Sequence, residues 1–485
     1  MKVRKFILFF CFLIHPFFLF AQKTDVDGLY RYMLPNGLEL FVAENNSAPL
    51  AYIEIAVRTG AVSQNPQTAG LFHLYEHMMF KGNARYDNQQ EVTDALNKMG
   101  VGEWNGSTGI DRVNYYFTIP SNLVKDGLEF WSYAVRTPKM DEKELENEKG
   151  VVLSEINGNF TNPGTILFAG LSKNLFAESP WRLDSSGNPD AVRNATVAQL
   201  KQIQSEYYVP NNSAIFVGGD VHHEQIYKYV KKIYGDWKPS DKVPFAAPPS
   251  QAPFSKDVKY IYKNPGTSKD FVSLSYYLRG PDGESDSDIT YSADVWSFFL
   301  DDPEGIFVRT FTDEKTLEIP DPDYIGGSYY TRRASGIIGM YAAMLNTPVS
   351  TPLEKSEKFM SLVHNQLAKK MLESKKDFSA ENIRLAETKM QDSKIYKMET
   401  AAGILSELSA VWASCGSDYY FNYEKNISAV SEDDIKSFVN DYINNKSGIV
   451  IVSLNPDVYE KYKESFLKAG YLEMTSENSF WWRKD

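Results

Sequence analysis

Cysteine, positive charge, long apolar runs and histidine are all scarce in this chain, and each scarcity excludes something. Cysteine occurs twice, at Cys11 and Cys415. Cys11 lies in an N-terminal apolar run, so the rest of the chain holds one thiol and no internal disulfide. A chain of 485 residues needs none, because it can bury a large core. Lys and Arg number 51 against 63 Asp and Glu, for a formal net charge of -12. The basic residues form no stripe, which argues against a nucleic-acid partner. Beyond the N-terminus no stretch approaches the ~20 apolar residues of a membrane-spanning helix. Only six histidines are present.

The N-terminus has its own pattern. Lys2, Arg4 and Lys5 precede a Phe- and Leu-rich run over 6–20, and Ala21 is a small residue suited to cleavage. Residues 1–21 read as a secretory signal peptide. His15 and Pro16 suit the run poorly to a permanent span, so a retained anchor is the lesser reading. Phe10 and Phe12 flank Cys11 with bulk where a lipidation site needs small residues. Without its three basic residues the remaining chain carries -15. The expected location is exported: the periplasm first, with secretion to the outside as the second reading.

About 460 residues then remain, too many for one ordinary domain and suited to two of roughly 220. Residues 237–255 hold five prolines and read as an extended linker. The expected domains are 22–240 and 256–485, joined through 241–255. Strand patterns fall at 51–59, 112–118 and 213–218, and helical patterns at 71–80, 88–99, 121–135, 141–157, 196–207 and 222–233. A similar order returns later. Strands are expected at 271–278, 336–344 and 448–453, and helices at 288–300, 352–374, 379–412, 431–442 and 456–469. The expected fold class is α+β. Two homologous domains each carry a mostly antiparallel sheet with helices packed on one face.

Two of the six histidines stand four residues apart in His73-Leu74-Tyr75-Glu76-His77. On a helix, positions i and i+4 share a face, so both imidazoles can reach one metal ion. Glu76 shares that face and can reach a water in the ion's open position. One further carboxylate would complete the three protein ligands of a catalytic zinc. A blander reading makes His73 and His77 hydrogen-bonded core residues among Phe72, Leu74, Tyr75, Met78 and Met79. Burying Glu76 beside them without a cation would be costly. A second segment, 141–157, is dense in acids. Glu142, Glu144 and Glu146 suit a solvated helix face. Glu148 and Glu155 are seven apart and share a face, and Val151 and Val152 suggest that this side packs inward. Glu155 follows an apolar run, so it is expected to be partly buried.

H-x-x-E-H followed about 75–80 residues later by E-x6-E resembles the pitrilysin/insulinase zinc peptidases, the inverzincins. Here Glu155 lies 78 residues after His77. The resemblance implies one zinc per chain, held by His73, His77 and Glu155. It implies Glu76 as the general base and Glu148 as a second acid supporting the site. Asn105 falls where the family has an Asn-Ala-x-Thr stretch beside the substrate, with Gly106 here in place of the alanine. A peptide substrate would lie as an added strand on a sheet edge nearby.

The second half departs from the family. Its members carry an Arg and, a few residues on, a Tyr that hold substrate and the developing oxyanion. Thr312 occupies the Arg position, and a Pro-containing insertion over 319–323 delays Tyr324, Tyr329 and Tyr330. Arg309 and Tyr324 are the nearest substitutes. The helix expected at 288–300 has no histidine, so the second half reads as a non-catalytic repeat. The resulting expectation is a zinc-dependent endopeptidase or oligopeptidase acting on peptides or unfolded segments. The alternative is a partner-dependent subunit that binds metal and peptide, completed by a homologous chain or a second copy of itself. A metal-free assembly or transport protein is a third reading.

Overall fold

The central strand over residues 50–57 reads LAYIEIAV, and apart from Leu50 every residue in it is buried, Glu54 included. Alternation alone predicts one solvated face, so something must cover the second. In this computed structural model, which describes residues 22–23, 26, 28–178, 184–241, 251–397 and 399–483, the cover comes from the other half of the chain. The expected signal peptide, and residues 242–250 of the expected linker, lie outside the described residues.

Two sheets organise the molecule. The first contains β1 (Gln22–Lys23), β2 (Leu29–Met33), β3 (Glu39–Glu44), β4 (Leu50–Val57), β5 (Trp104–Thr108), β6 (Val113–Pro120) and β7 (Ser213–Gly219). The second contains β8 (Val258–Lys263), β9 (Phe271–Arg279), β10 (Ile325–Tyr330), β11 (Ile337–Leu345), β12 (Ile449–Leu454) and β13 (Leu472–Met474). Their orders are β1-β2-β3-β7-β4-β6-β5 and β10-β11-β9-β12-β8-β13. The core of each sheet is the same walk. β3 pairs parallel with β7 as β8 does with β12, and the remaining steps out to β5 or β10 are antiparallel in both. The α+β reading and the repeat therefore hold. The two sheets differ at one edge, where β2 runs antiparallel to β3 and β13 runs parallel to β8.

The first half's helices include α1 (Leu71–Met79), α2 (Gln89–Lys98), α3 (Val124–Arg136), α4 (Glu142–Asn159) and α5 (Pro163–Leu175). Most of them build one large core on one face of the first sheet. The opposite face packs against the helix Ala401–Ser414, through Phe41, Ala56 and Phe216 on the sheet and Leu405, Leu408 and Trp412 on the helix. The exchange is reciprocal: α5 lays Ile166, Ala169 and Leu175 on Tyr260, Ile449 and Ile451 of the second sheet. Each half thus supplies a helix that seals the other half's sheet.

The exchange accounts for two differences from the sequence pattern. One helix was expected over 379–412, yet the structure has two, Ala380–Lys397 and Ala401–Ser414. Thr400 starts the second, its side chain accepting from the Gly403 N–H; a chain that crosses to the other sheet has to turn there. No element was expected over 163–175, although Asn162 as cap with Pro163 behind it is a start signal.

Polar groups are satisfied across this seam. The buried Glu54 carboxylate accepts from Tyr52 Oη at 2.7 Å, Asn114 Nδ2 at 2.8 Å and Ser409 Oγ at 2.5 Å. Trp412 Nε1 donates to Glu39 at 2.7 Å, and the Arg58 guanidinium lies 4.2 Å over the Trp412 ring. Trp412→Ala should therefore cost about 3–5 kcal/mol, as large buried aromatics do. Urea unfolding followed by far-UV circular dichroism would measure it. A loss under 1 kcal/mol would mean that this helix does not seal the first sheet.

Candidate metal centre

Gly70 starts α1 in a left-handed conformation (φ 93°). A Cβ there would stand 2.9 Å from the Ser186 carbonyl oxygen and 2.8 Å from Val192, so the tight entry to this helix requires glycine. Leu71, Phe72, Leu74, Tyr75, Met78 and Met79 are buried. The remaining positions, 73, 76 and 77, form a narrow half-buried stripe. Helical spacing thus concentrates two imidazoles and one carboxylate on the side not consumed by packing.

α4 packs on α1 and brings two more carboxylates. Asp141 caps it through the Lys143 and Glu144 N–H groups. Its inward stripe is Leu145, Glu148, Lys149, Val152 and Ile156. Val152 is buried, but Val151 is 45% exposed, which corrects the expectation that both valines pack inward. Glu155 differs from expectation too: it is exposed rather than partly buried, with 47% of its side chain accessible. Glu155 lies two turns beyond Glu148 on the same side of α4, where that side opens to solvent, and its carboxylate reaches both imidazoles.

The distances define a chelate. His73 Nε2 and His77 Nε2 are 3.2 Å apart, and Glu155 Oε2 lies 3.5 Å from the first and 3.7 Å from the second. Among the described residues these three form a group of the kind that could hold a metal ion. Ligands at zinc bond lengths and tetrahedral angles lie about 3.3 Å apart, so the donor set fits zinc in spacing as well as in chemistry. Burial and the neighbouring His77 push the His73 imidazole down to about 4. That shift favours the neutral imidazole, which has a lone pair to donate.

The two histidines are supported unequally. His77 Nδ1 meets Glu148 Oε2 at 3.0 Å, which directs Nε2 towards the cluster. His73 Nδ1 is buried and has no hydrogen-bond partner among the described residues. Glu76 is held from the strand side: Thr108 Oγ1 donates to its Oε2 at 2.6 Å. Burial raises the Glu76 carboxyl above its ordinary range, and the Thr108 bond partly opposes that.

β5 is the last strand of its sheet, and it lies against α1. Alternation turns Trp104, Gly106 and Thr108 to one side and leaves Asn105 and Ser107 exposed. The Asn105 side chain accepts from the Gly106 N–H at 2.9 Å and is free to face a ligand at the edge. Thr108, not Asn105, touches Glu76. The period-two pattern of 104–108 was the signal that could have found it. Gly106 lies so close that a Cβ would be 2.7 Å from Glu76 Oε1 and 3.0 Å from its Cγ.

The structure therefore gathers His73, Glu76, His77, Glu148 and Glu155 at one place, with Asn105 at the neighbouring edge. Arg309 and Tyr324 are not joined to it by any hydrogen bond or ring contact among the described residues. Arg309 belongs to the short helix Ile306–Thr312, its Nε buried without a hydrogen-bond partner. Tyr324 is 39% exposed and stacks on Phe271 at 5.2 Å. Tyr329 is a core residue whose hydroxyl donates to the Pro281 carbonyl. His222 and His223 start a helix as expected, and His223 bonds to Tyr32 Oη.

Comparison with known proteins agrees with this geometry. Residues 40–185 match the family described as Insulinase (Peptidase family M16), and residues 194–385 match the one described as Peptidase M16 inactive domain. The chain belongs to peptidase family M16, a family of zinc proteases. It is 28% identical over 219 residues to the uncharacterized zinc protease YmfH of Bacillus subtilis, covering 43% of this chain and 50% of that one. It is 25% identical over 268 residues to the mitochondrial-processing peptidase subunit beta of Dictyostelium discoideum, covering 54% and 53%. The chain thus spans about half the length of these curated relatives. A protease from Helicobacter pylori shares the fold at a TM-score of 0.70 and 17% identity, over 87% of this chain and 98% of that one. The periplasmic protease PqqL from Escherichia coli does so at 0.70 and 16%, over 91% and 49%.

The closeness of Gly106 to Glu76 makes a prediction. Gly106→Val should push the carboxylate aside by about 1 Å, a displacement that can cost on the order of 10²-fold in turnover. Zinc content should not change, because no ligand moves. Metal analysis beside a peptide-cleavage assay would check both, and an undiminished rate would show that Glu76 tolerates the shift.

Proposed function

We propose that this chain is a zinc-dependent endopeptidase or oligopeptidase, with one zinc held by His73, His77 and Glu155. The observation that carries the reading is the convergence of these three donors beside Glu76, under an open sheet edge. Bound zinc would supply a charge that acidifies a water and polarises a peptide carbonyl. Thr108 occupies Glu76 Oε2, which leaves Oε1 as the atom that accepts the water's proton and returns it to the leaving amine. Glu148 keeps the His77 ring oriented. The unpaired backbone of β5 accepts an extended peptide as an added strand, and Asn105 meets it from the exposed side. Residues 22–240 and 256–485 act as the zinc-bearing and the non-catalytic domain, joined through 241–255. Export to the periplasm is part of the proposal. It rests on the pattern of residues 1–21, and among the described residues no helix is long and apolar enough to cross a membrane.

One observation favours a second reading, in which activity needs a partner. Thr312 stands where a cation is expected, and its hydroxyl is turned back on the Val308 carbonyl at 3.0 Å. It can offer no charge to a developing oxyanion. A homologous chain would supply that charge in a hetero-oligomer, whereas a homodimer would have to rely on Arg309 or Tyr324. The relative named as a peptidase subunit makes the first arrangement reasonable.

Three outcomes are expected. His73→Ala or Glu155→Ala should lose the zinc. Glu76→Gln should keep it and lose about 10²–10⁴-fold in peptide turnover, the usual worth of a general base; wild-type turnover in that variant would remove Glu76 from the mechanism. The purified chain alone should cleave an unstructured peptide slowly and gain rate when titrated with homologous chains from the same source. Full activity alone, lost in Arg309→Ala, would decide against the partner.

A further inference from the structure

α1 ends at Met79, and the chain continues into a turn in which Lys81 folds back towards α4. Its ammonium lies 2.6 Å from Glu148 Oε1. The other oxygen of that carboxylate, Oε2, is the one 3.0 Å from His77 Nδ1. The Lys81 and Glu148 side chains are only 13% and 8% accessible, so this is a largely desolvated pair rather than a surface contact. Gln89 Oε1, at the start of α2, accepts from the same ammonium at 2.9 Å. Lys81 is thus fixed between two helices, and its remaining reach is spent on one carboxylate.

We propose that Lys81 is a positioning residue of the metal centre, acting through Glu148 to hold His77 in its ligating orientation. The proposal rests on the reading of His73, His77 and Glu155 as the zinc ligands.

Two physical arguments support it. The first is geometric. A carboxylate that accepts one bond can rotate about its last torsion, a broad and soft one. Engaging Oε1 with Lys81 removes that freedom and pins Oε2 on Nδ1. His77 then presents Nε2 to the cluster. His73, whose Nδ1 lacks any such partner, shows the unpinned alternative within the same site. The second is electrostatic. Glu76, Glu148 and Glu155 place three carboxylates around a site meant for a dication. Glu148 is the most enclosed of the three, and a buried carboxylate is costly unless a cation pairs with it. Lys81 supplies that cation, so Glu148 can stay charged and keep its hold on His77. Sequence gives no hint of this role, since Lys81 is separated from Glu148 by 67 positions and reads as an ordinary basic residue after a helix.

The test uses the full chain. Zinc affinity is measured by competition with a chromophoric chelator for the unaltered protein, Lys81→Met, Lys81→Arg, Glu148→Gln and the double variant Lys81→Met/Glu148→Gln. Lys81→Met should weaken zinc binding about 10–100-fold, the usual range for a group that orients a ligand. Lys81→Arg should recover most of it. The double variant should bind no more weakly than Glu148→Gln alone, because a residue acting through another adds nothing once that other is gone. Cobalt-substituted Lys81→Met should show an altered visible ligand-field spectrum, which a lost remote packing contact would not produce. Zinc binding in Lys81→Met equal to the unaltered chain overturns the role of Lys81 and leaves the zinc reading standing. Independent, additive losses in the double variant overturn it as well. An unaltered chain that binds no zinc refutes the ligand assignment itself, and the proposal falls with it.

Discussion

A helix buried on every side but one is the constraint on which this structure depends. α1 is so closely packed that only positions 73, 76 and 77 remain for chemistry. Everything near it is arranged around that narrow stripe. Gly70 lets the chain enter where any side chain would collide with the 186–192 segment. Gly106 lets β5 approach until Thr108 can hold Glu76. α4 presents Glu148 and Glu155 from one side, Glu148 where that side is packed and Glu155 where it opens to solvent. The close-packed helix holds two imidazole nitrogens 3.2 Å apart, because its side chains have nowhere else to go.

The reciprocal helices give that helix a rigid floor. Each sheet carries its own helices on one face and a helix of the other half on the opposite face. Neither sheet is complete without the other half, so the halves cannot separate without exposing Trp412, Phe216 and their neighbours to water. The second half, which has no histidine in the helix corresponding to α1, is therefore structural for the first. The buried Glu54 shows how tightly the seam is specified, since its carboxylate is satisfied by residues of both halves.

The same repeat explains the uneven chemistry of the two ends. β5 and β10 hold equivalent places at the sheet edges, yet of the two only β5 lies against a helix carrying a pair of candidate metal ligands. In the second half, the helix Ile306–Thr312 ends on a threonine bonded to its own backbone, and of the tyrosines that follow, Tyr324 stacks on Phe271 and Tyr329 is packed in the core. The chain thus carries one framework twice, and the His73–His77–Glu155 cluster is present in one copy only.

How much of this was legible beforehand follows from the range of the interactions. Local spacing fixes the i, i+3, i+4 stripe, so His73, Glu76 and His77 could be read directly. Period-two and period-3.6 patterns placed most central strands and long helices, because each answers to burial on its own half's core. Spacing singled out Glu148 and Glu155 and resemblance gave their roles, while the burial of Glu155 was misjudged: how far along α4 the packed side stays covered depends on its angle against α1, not on its own sequence. Thr108 and Lys81 were not read as site residues, and Gly106 was noted only as a departure from the family's alanine, since each acts on a partner more than 25 positions away. The helix exchange was hidden for the same reason. An apolar face in a sequence says that something will cover it and does not say what. Sequence determined which residues could ligate and where the elements run; tertiary packing decided which carboxylates meet the imidazoles, because that choice is made by contacts between segments that periodicity cannot relate.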